Sequence, residues 1–223
     1  MKLVLIKFII LFIVSFCSSV KANSSEAEYN IYVSGIKIGK LNWFLNIKDG
    51  KYETNINLES SGFFSPLYSF TGQYTSSGDV KSGVFNTKEY KQYWRTKKDV
   101  KIVEIKFDKN LVEIMQIPKE DEFSRIDLKN LLYYFDPITS LLNILNGNEE
   151  AKTVDGRRIY VMKKKIADSK NYTSLKIKDY KNIWADHNRN DLENIDLYLS
   201  DEHFFPEKIL IYFKEKIFKL RII

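Results

Sequence analysis

The stretch Asp136-Pro-Ile-Thr-Ser-Leu-Leu-Asn-Ile-Leu-Asn-Gly147 predicts one short α-helix in a chain whose other segments have strand patterns. Asp136 can accept hydrogen bonds from the first free amides of a helix, and Pro137 suits the first helical position, where no N–H is needed. Asn146 and Gly147 are typical of a helix end. The apolar stripe between these ends has helical spacing and consists of Ile138, Leu141, Leu142, Ile144 and Leu145. A helix this short and apolar must bury its stripe against a sheet.

The segments around this helix alternate apolar and polar residues, which is typical of strands with one buried face. The clearest case is a hairpin that turns at Asp49-Gly50. Its inward residues are Leu41, Trp43, Leu45 and Ile47 before the turn and Tyr52, Thr54, Ile56 and Leu58 after it. Further turns are predicted at Ser34-Gly35, Ser77-Gly78, Asp108-Lys109-Asn110 and Asp155-Gly156. The pattern indicates roughly ten to twelve short strands with hairpin spacing.

The predicted fold class is all-β. We expect a single strongly bent antiparallel sheet, in the form of a half-barrel, spiral or open barrel, with one short helix packed on or into it. Residues 23–28 are polar and are expected to be loose, and residues 124–135 are expected to be partly helical. Neither a repeat nor a linker divides the chain, so residues 23–223 are predicted to form a single β-rich domain.

The N-terminus has the features of a cleavable signal peptide. Lys2 and Lys7 give a positive start, residues 8–16 are apolar except for one serine, and Ala22 ends a Val-Lys-Ala cleavage motif. We therefore predict that residues 1–22 are removed and that the protein is periplasmic. Cys17 follows Phe16 rather than the small residue that lipid attachment requires, so we expect no lipid anchor there.

Charge and cysteine content narrow the possible functions. Loss of Lys2, Lys7 and Lys21 with the signal lowers the formal net charge from +6 to +3, because no acidic residue leaves with these three lysines. Charges of both signs are interspersed along the rest of the chain, which is typical of a solvated surface. Export argues against a nucleic-acid partner. The segment after residue 22 contains no cysteine, so its stability must come from the core rather than from disulfides.

Four segments carry a resemblance to a known family. They are residues 29–39 (YNIYVSGIKIG), 60–62 (SSG), 136–142 (DPITSLL) and 155–160 (DGRRIY). Together with a final pair of strands after Pro206, they resemble a family of exported bacterial proteins, domain of unknown function 3108, over most of the mature chain. The resemblance implies an envelope protein built mainly of antiparallel strands, and it assigns no catalytic residue.

The sequence contains no pattern of a catalytic or metal site. His187 and His203 are the two histidines, and they offer too few soft ligands for a transition metal. A Gly-x-Ser-x-Gly elbow, a phosphate-binding loop and a His-Glu-x-x-His motif are all absent. We therefore expect a protein that is not an enzyme and that uses no metal or cofactor.

Aromatic residues make up 14% of the chain. On the inner face of a bent sheet they can line an apolar pocket, or they can simply fill the core. The residues predicted to line such a pocket are Trp43, Tyr52, Phe70, Tyr74, Leu141 and Leu145.

Three functions are compatible with these patterns. The first is an exported, non-enzymatic envelope protein that binds a lipid or another hydrophobic ligand in its curved sheet. The second is a structural or interaction protein with a solid core that binds an envelope protein partner. The third is an envelope hydrolase, which requires a water-filled cleft with two facing carboxylates.

Overall fold

A computed structural model describes residues 23–62, 69–109, 111–165, 171–184 and 191–223. The predicted signal peptide, Cys17 and His187 lie outside these residues, as does Asn110 of one predicted turn.

Fourteen strands form one sheet across the described residues. In the first half they are β1 (Asn23–Val33), β2 (Ile36–Lys48), β3 (Lys51–Ser60), β4 (Phe70–Lys81), β5 (Val84–Thr96), β6 (Val100–Asp108) and β7 (Leu111–Ile117). In the second half they are β8 (Tyr134–Phe135), β9 (Glu150–Val154), β10 (Arg158–Lys164), β11 (Tyr172–Asn182), β12 (Leu192–Tyr198), β13 (Lys208–Phe213) and β14 (Lys216–Ile222). A 3₁₀ turn (Leu128–Asn130) and helix α1 (Pro137–Leu145) lie between the halves.

The sheet consists of two meanders joined at its centre. Its strand order is β7-β6-β5-β4-β3-β2-β1-β14-β13-β12-β11-β10-β9-β8. The first and last strands pair with each other, Tyr29 lying opposite Ile222, and only the short β8 runs parallel to its neighbour. The sheet is open, with β7 and β8 at its edges. The predicted fold class is therefore confirmed, with more strands than the sequence suggested.

The predicted hairpins at Ser34-Gly35 and Asp49-Gly50 are confirmed, because β1, β2 and β3 pair in register around these turns. Residues 23–28 were expected to be loose, and that prediction is wrong. β1 begins at Asn23, which lies opposite Ile47. The reason is that β2 is long enough to offer backbone partners along this whole segment, and backbone pairing does not depend on apolar side chains.

The predicted turn at Ser77-Gly78 is also wrong. β4 continues to Lys81 and turns at Ser82-Gly83, where both residues have positive φ. Opposite Gly78 the pairing shifts by one residue, so that β5 has a bulge there. A Cβ at position 78 would lie 1.9 Å from the carbonyl oxygen of Asn86. The glycine therefore allows a close approach of two backbones within the sheet and does not end the strand.

Helix α1 begins where the sequence predicts. The Asp136 side chain accepts hydrogen bonds from the amides of Ile138 and Thr139, and Pro137 occupies the first turn. The helix packs against β5 in the first half of the sheet and against β9 in the second half, so it covers the side on which the sheet is open. The sequence predicted that the helix buries its apolar stripe. In the structure the polar residues Thr139, Ser140 and Asn143 are fully buried, whereas Leu141 and Leu145 of the predicted stripe are only half-buried. Within the described residues, no helix has the length and apolar character needed to cross a membrane.

Away from the β1–β14 pairing at the centre of the sheet, the two halves meet through side chains and loops rather than through strand pairing. A Cβ at Gly156, in the turn between β9 and β10, would lie 2.4 Å from Val103 Cγ1 on β6. The Arg125 amide donates a hydrogen bond to the carbonyl of Ile183 at 2.7 Å. These contacts bring the second half of the sheet across the concave face of the first half. They produce a barrel-like shape without closing the hydrogen-bond ladder.

Candidate functional site

A large apolar cavity lies between the concave face of the sheet and α1. Its volume is about 790 Å³. This is within the range of roughly 300–1,000 Å³ that is typical of small-molecule sites. Aliphatic and aromatic side chains from both halves of the sheet line it, including Ile31, Leu41, Trp43, Met162, Ile195 and Leu220. The helix contributes Ile138 and Leu141 to the lining.

Residues that pair across β3, β4, β5 and β6 form three inward-facing rows at increasing distance from the helix. The row nearest the helix contains Thr54, Ser76, Tyr90 and Ile105. The next row contains Ile56, Tyr74, Gln92 and Val103. The row farthest from the helix contains Leu58, Gly72, Trp94 and Lys101. Because Lys101 is exposed whereas Val103 and Ile105 are buried, the third row marks the mouth of the cavity.

Two aromatic rings stack at this mouth. Phe70 and Trp94 have ring centroids 5.3 Å apart and are nearly parallel, with an interplanar angle of 12°. Gly72 lies under the Trp94 ring, and a Cβ there would be 2.9 Å from Trp94 Cε3. The absence of a side chain at position 72 therefore allows the indole to lie flat against the sheet. At another part of the lining, Trp43 is buried, stacks on Phe205 and donates to Thr54 Oγ1 at 3.0 Å.

The mouth also carries charge. Lys101, Arg157 and Arg158 line the cavity together with one carboxyl group, Asp155, and the amide of Gln92. Asp155 lies in the turn before Arg157 and accepts hydrogen bonds from the amides of both arginines, at 2.9 and 2.7 Å. Burial raises the pKa of the Asp155 carboxyl, and the arginines oppose that shift. The lining is therefore predominantly cationic at this end.

Tyrosine hydroxyls form a second polar element of the lining. Burial raises the pKa of Tyr74 to about 12, and it raises the pKa values of Tyr90 and Tyr160 as well. These hydroxyls stay neutral at physiological pH, so they can donate hydrogen bonds but do not act as bases.

A fully buried polar network joins the helix to the first half of the sheet. Asp136 Oδ2 accepts hydrogen bonds from Ser76 Oγ at 2.8 Å, from Thr87 Oγ1 at 2.7 Å and from Thr139 Oγ1 at 2.5 Å. The Tyr52 hydroxyl completes the network through hydrogen bonds with Ser76 and Thr139. On the next turn, the Asn143 side chain accepts from the amide of Phe85 and donates to its carbonyl, at 2.8 and 2.9 Å. The helix is therefore fixed to β5 by oriented polar contacts.

Burial raises the pKa of Asp136, while the hydrogen bonds from Thr139, Thr87 and Ser76 lower it. Since the net shift is upward, the folded protein holds this proton more tightly than the unfolded chain does. The part of its stability contribution that comes from proton binding is therefore fully present below its ordinary pKa of 3.8 and is lost as the pH rises through the raised value, whereas the hydrogen bonds that it accepts remain. With no exposed surface, Asp136 acts as a structural group.

Comparison with known proteins places the chain in a family. A profile of the family described as "Protein of unknown function (DUF3108)" matches residues 28–216. The chain belongs to this family. The resemblance drawn from its short motifs is thus confirmed. No curated protein matches the sequence.

One solved structure shows the fold of this DUF3108 chain in another protein. It is the crystal structure of a beta-barrel-like protein of domain of unknown function DUF1849 from Brucella abortus. The similarity covers 89% of this chain and 95% of that chain, with a TM-score of 0.54 and 14% sequence identity. At this identity the likeness concerns the fold alone.

The cavity brings together four of the six residues that the sequence suggested for a pocket. Trp43, Phe70, Tyr74 and Leu141 are among its lining residues. Tyr52 and Leu145 are not. Tyr52 faces inward, but its hydroxyl is engaged in the Asp136 network, and burial raises its pKa. Leu145 lies one helical turn beyond Leu141 and packs against the core instead.

Sequence reasoning missed the cationic residues of the mouth. Lys101 alternates with Val103 and Ile105, so the strand period alone places it on the inner face. For Arg157 and Arg158 no local signal exists, because their position depends on the contact between the Gly156 turn and β6. Among the described residues, no three His, Cys, Asp or Glu side chains are grouped so that they could hold a metal ion.

Proposed function

We propose that this protein is exported to the cell envelope and binds a lipid or another apolar ligand, without catalysing a reaction. The single observation that carries the proposal is the apolar cavity of about 790 Å³ between the sheet and α1. Export is inferred from residues 1–22, which have the pattern of a cleavable signal peptide.

The energetics of such a cavity favour an apolar occupant. Interiors of folded proteins are packed nearly as densely as organic crystals, so a volume of this size is not an ordinary packing defect. Each Å² of apolar surface removed from water contributes about 25 cal/mol. An acyl chain in contact with Leu41, Ile56 and Met162 would gain this contribution on both its own surface and that of the protein.

The arrangement of carboxyl groups supports a role without catalysis. A hydrolase of the envelope would require two acidic groups that face each other across a wet cleft. Asp136 is wholly buried and its oxygens accept five hydrogen bonds. Among the residues that the structure describes, Asp155 is the one carboxyl group in the cavity lining, and it accepts hydrogen bonds from the amides of the turn.

Two leucines on α1 provide a matched test. Leu141 lines the cavity, whereas Leu145, one turn later and also half-buried, does not. Leu141→Trp is expected to fill part of the cavity and to weaken binding of N-phenyl-1-naphthylamine, a neutral apolar fluorescent probe, by at least roughly tenfold. Leu145→Trp is expected to change the affinity by less than about twofold.

Thermal unfolding of both variants provides the control, since each must remain folded at the temperature of the titration. Equal affinity of wild type and Leu141→Trp would contradict the assignment of the cavity as the binding site. Where Leu141→Trp is too unstable, Leu141→Phe offers a smaller intrusion at the same position, with Leu145→Phe as its partner.

A second candidate, binding of an envelope protein, is favoured by one edge of the sheet. β7 pairs only with β6 among the described residues, and Met115 and Ile117 on it are 52% and 49% exposed. An unpaired edge of this kind can accept a strand from another protein. Ile117 also borders the cavity, but strand addition would use the free backbone groups of β7 rather than the apolar interior, so Leu141→Trp on α1 would leave it unchanged.

A further inference from the structure

We propose that the mouth of the cavity is a site for an anionic head group, so that the ligand is an amphiphile with an apolar tail and a carboxylate or phosphate head. The inference rests on the proposed binding function and adds to it the chemical class of the ligand. Lys101 and Arg157 are the principal contacts that we assign to the head group.

These two cations lie on opposite sides of one contact between the halves of the sheet. Val103 on β6 touches Gly156 in the turn between β9 and β10. Lys101 lies two residues before Val103 on the same inward face, and Arg157 directly follows Gly156. Both residues line the cavity. They therefore flank the point at which a ligand would emerge from the apolar interior.

Within the described part of the chain, Arg157 and Arg158 form ion pairs with acidic side chains, but these pairs are long and leave most of their N–H donors free. Arg157 is 3.8 Å from Glu120, and Arg158 is 4.0 Å from Asp155 and 3.9 Å from Asp191, all too long for hydrogen bonds. Arg158 donates one hydrogen bond, to the Tyr180 hydroxyl at 2.8 Å. A guanidinium group carries five N–H donors in a fork that fits carboxylate and phosphate oxygens. Most of this donor capacity therefore remains for a ligand.

Lys101 adds a point charge without a competing acid. Among the residues that the structure describes, no carboxyl group lies within ion-pair distance of its amino group. Trp94, directly opposite Lys101, stacks with Phe70 and gives the adjacent wall an aromatic surface. A head group bound by Lys101 and Arg157 would place its first methylene groups against these rings, and the tail would run inward toward Trp43 and Met162.

The test compares three amphiphiles that share one tail: dodecanoate, dodecyl phosphate and dodecan-1-ol. Binding is followed by the intrinsic fluorescence of Trp43 and Trp94, which line the cavity. The double variant Lys101→Gln, Arg157→Gln is expected to bind the two anions about tenfold more weakly and to bind the alcohol with less than about twofold change. The ratio between dodecanoate and dodecyl phosphate identifies which head group the site prefers.

A matched control variant removes two positive charges from a surface away from the cavity. Lys176 and Lys178 are exposed on β11, on the face opposite to the buried Leu175 and Ile177. Lys176→Gln, Lys178→Gln is expected to leave all three affinities unchanged. Equal weakening by the two double variants, or equal losses for acid and alcohol, would overturn the head-group site and leave the cavity intact. Failure of the wild type to bind any of the three would overturn the proposed function itself.

Discussion

Replacement of Asp136 by alanine is expected to lower the free energy of unfolding by about 3–5 kcal/mol. The side chain caps α1 through the amides of Ile138 and Thr139. It also accepts hydrogen bonds from the hydroxyls of Ser76, Thr87 and Thr139. Alanine leaves all of these donors without their acceptor in a site that water does not reach. Urea denaturation at neutral pH, monitored by circular dichroism, measures the effect.

Asp127→Ala is the control for the capping contribution alone. Asp127 caps the 3₁₀ turn by accepting from the amide of Lys129 at 3.0 Å, but it is exposed. Its loss is expected to cost less than about 1 kcal/mol, because water replaces the lost acceptor. Similar costs for the two variants would mean that Asp136 is only a helix cap. The account of α1 as an element fixed to the sheet by a buried network would then be wrong.

Gly78→Ala is expected to destabilise the protein by about 2–4 kcal/mol. The added Cβ would lie 1.9 Å from the carbonyl oxygen of Asn86, so the backbones of β4 and β5 would have to separate. The bulge opposite Gly78 allows Thr87 and Tyr90 both to face inward. Separation of the strands would therefore also disturb the hydrogen bond from Thr87 to Asp136. Chemical denaturation again provides the measurement.

Gly35→Ala is the control that measures the cost of an unfavourable backbone conformation in the absence of a steric clash. Gly35 has a φ of 79° in the first hairpin, and no atom lies within 4 Å of its added Cβ. The expected cost is about 1 kcal/mol, which reflects only the unfavourable φ. If Gly78→Ala costs no more than Gly35→Ala, the close approach of β4 and β5 is not a feature of the folded protein.

The fold was largely predictable because its signals are local. The cap at Asp136, the hairpin at Asp49-Gly50 and the alternation in β2 and β3 each depend on a few neighbouring residues. Gly78 was misinterpreted because a glycine that permits close approach of two strands has the same sequence pattern as a glycine in a turn. The distinction depends on the position of Asn86, which the local sequence does not specify.

The candidate site was predictable only in part, because some of its contacts join residues that are far apart in the chain. Inward aromatics such as Trp43 and Tyr74 follow from strand alternation, and both line the cavity. Tyr52 has the same pattern, but its surroundings depend on where α1 packs against the sheet, and its hydroxyl forms hydrogen bonds with Ser76 and Thr139. The cationic mouth arises where the turn at Gly156 reaches Val103, a contact between residues far apart in the chain. Periodicity carries no information about such a contact.

The most direct test of ligand binding is native mass spectrometry of the protein purified from the envelope of the cell that produces it. The account predicts a population whose mass exceeds that of the polypeptide by one lipid-sized adduct. The adduct is expected to be lost on denaturation and to ionise as an acid in the extract. The expected abundance is much lower for Leu141→Trp than for Leu145→Trp. A single apo mass for the wild-type protein, obtained under conditions that preserve a known lipid complex, would contradict the account.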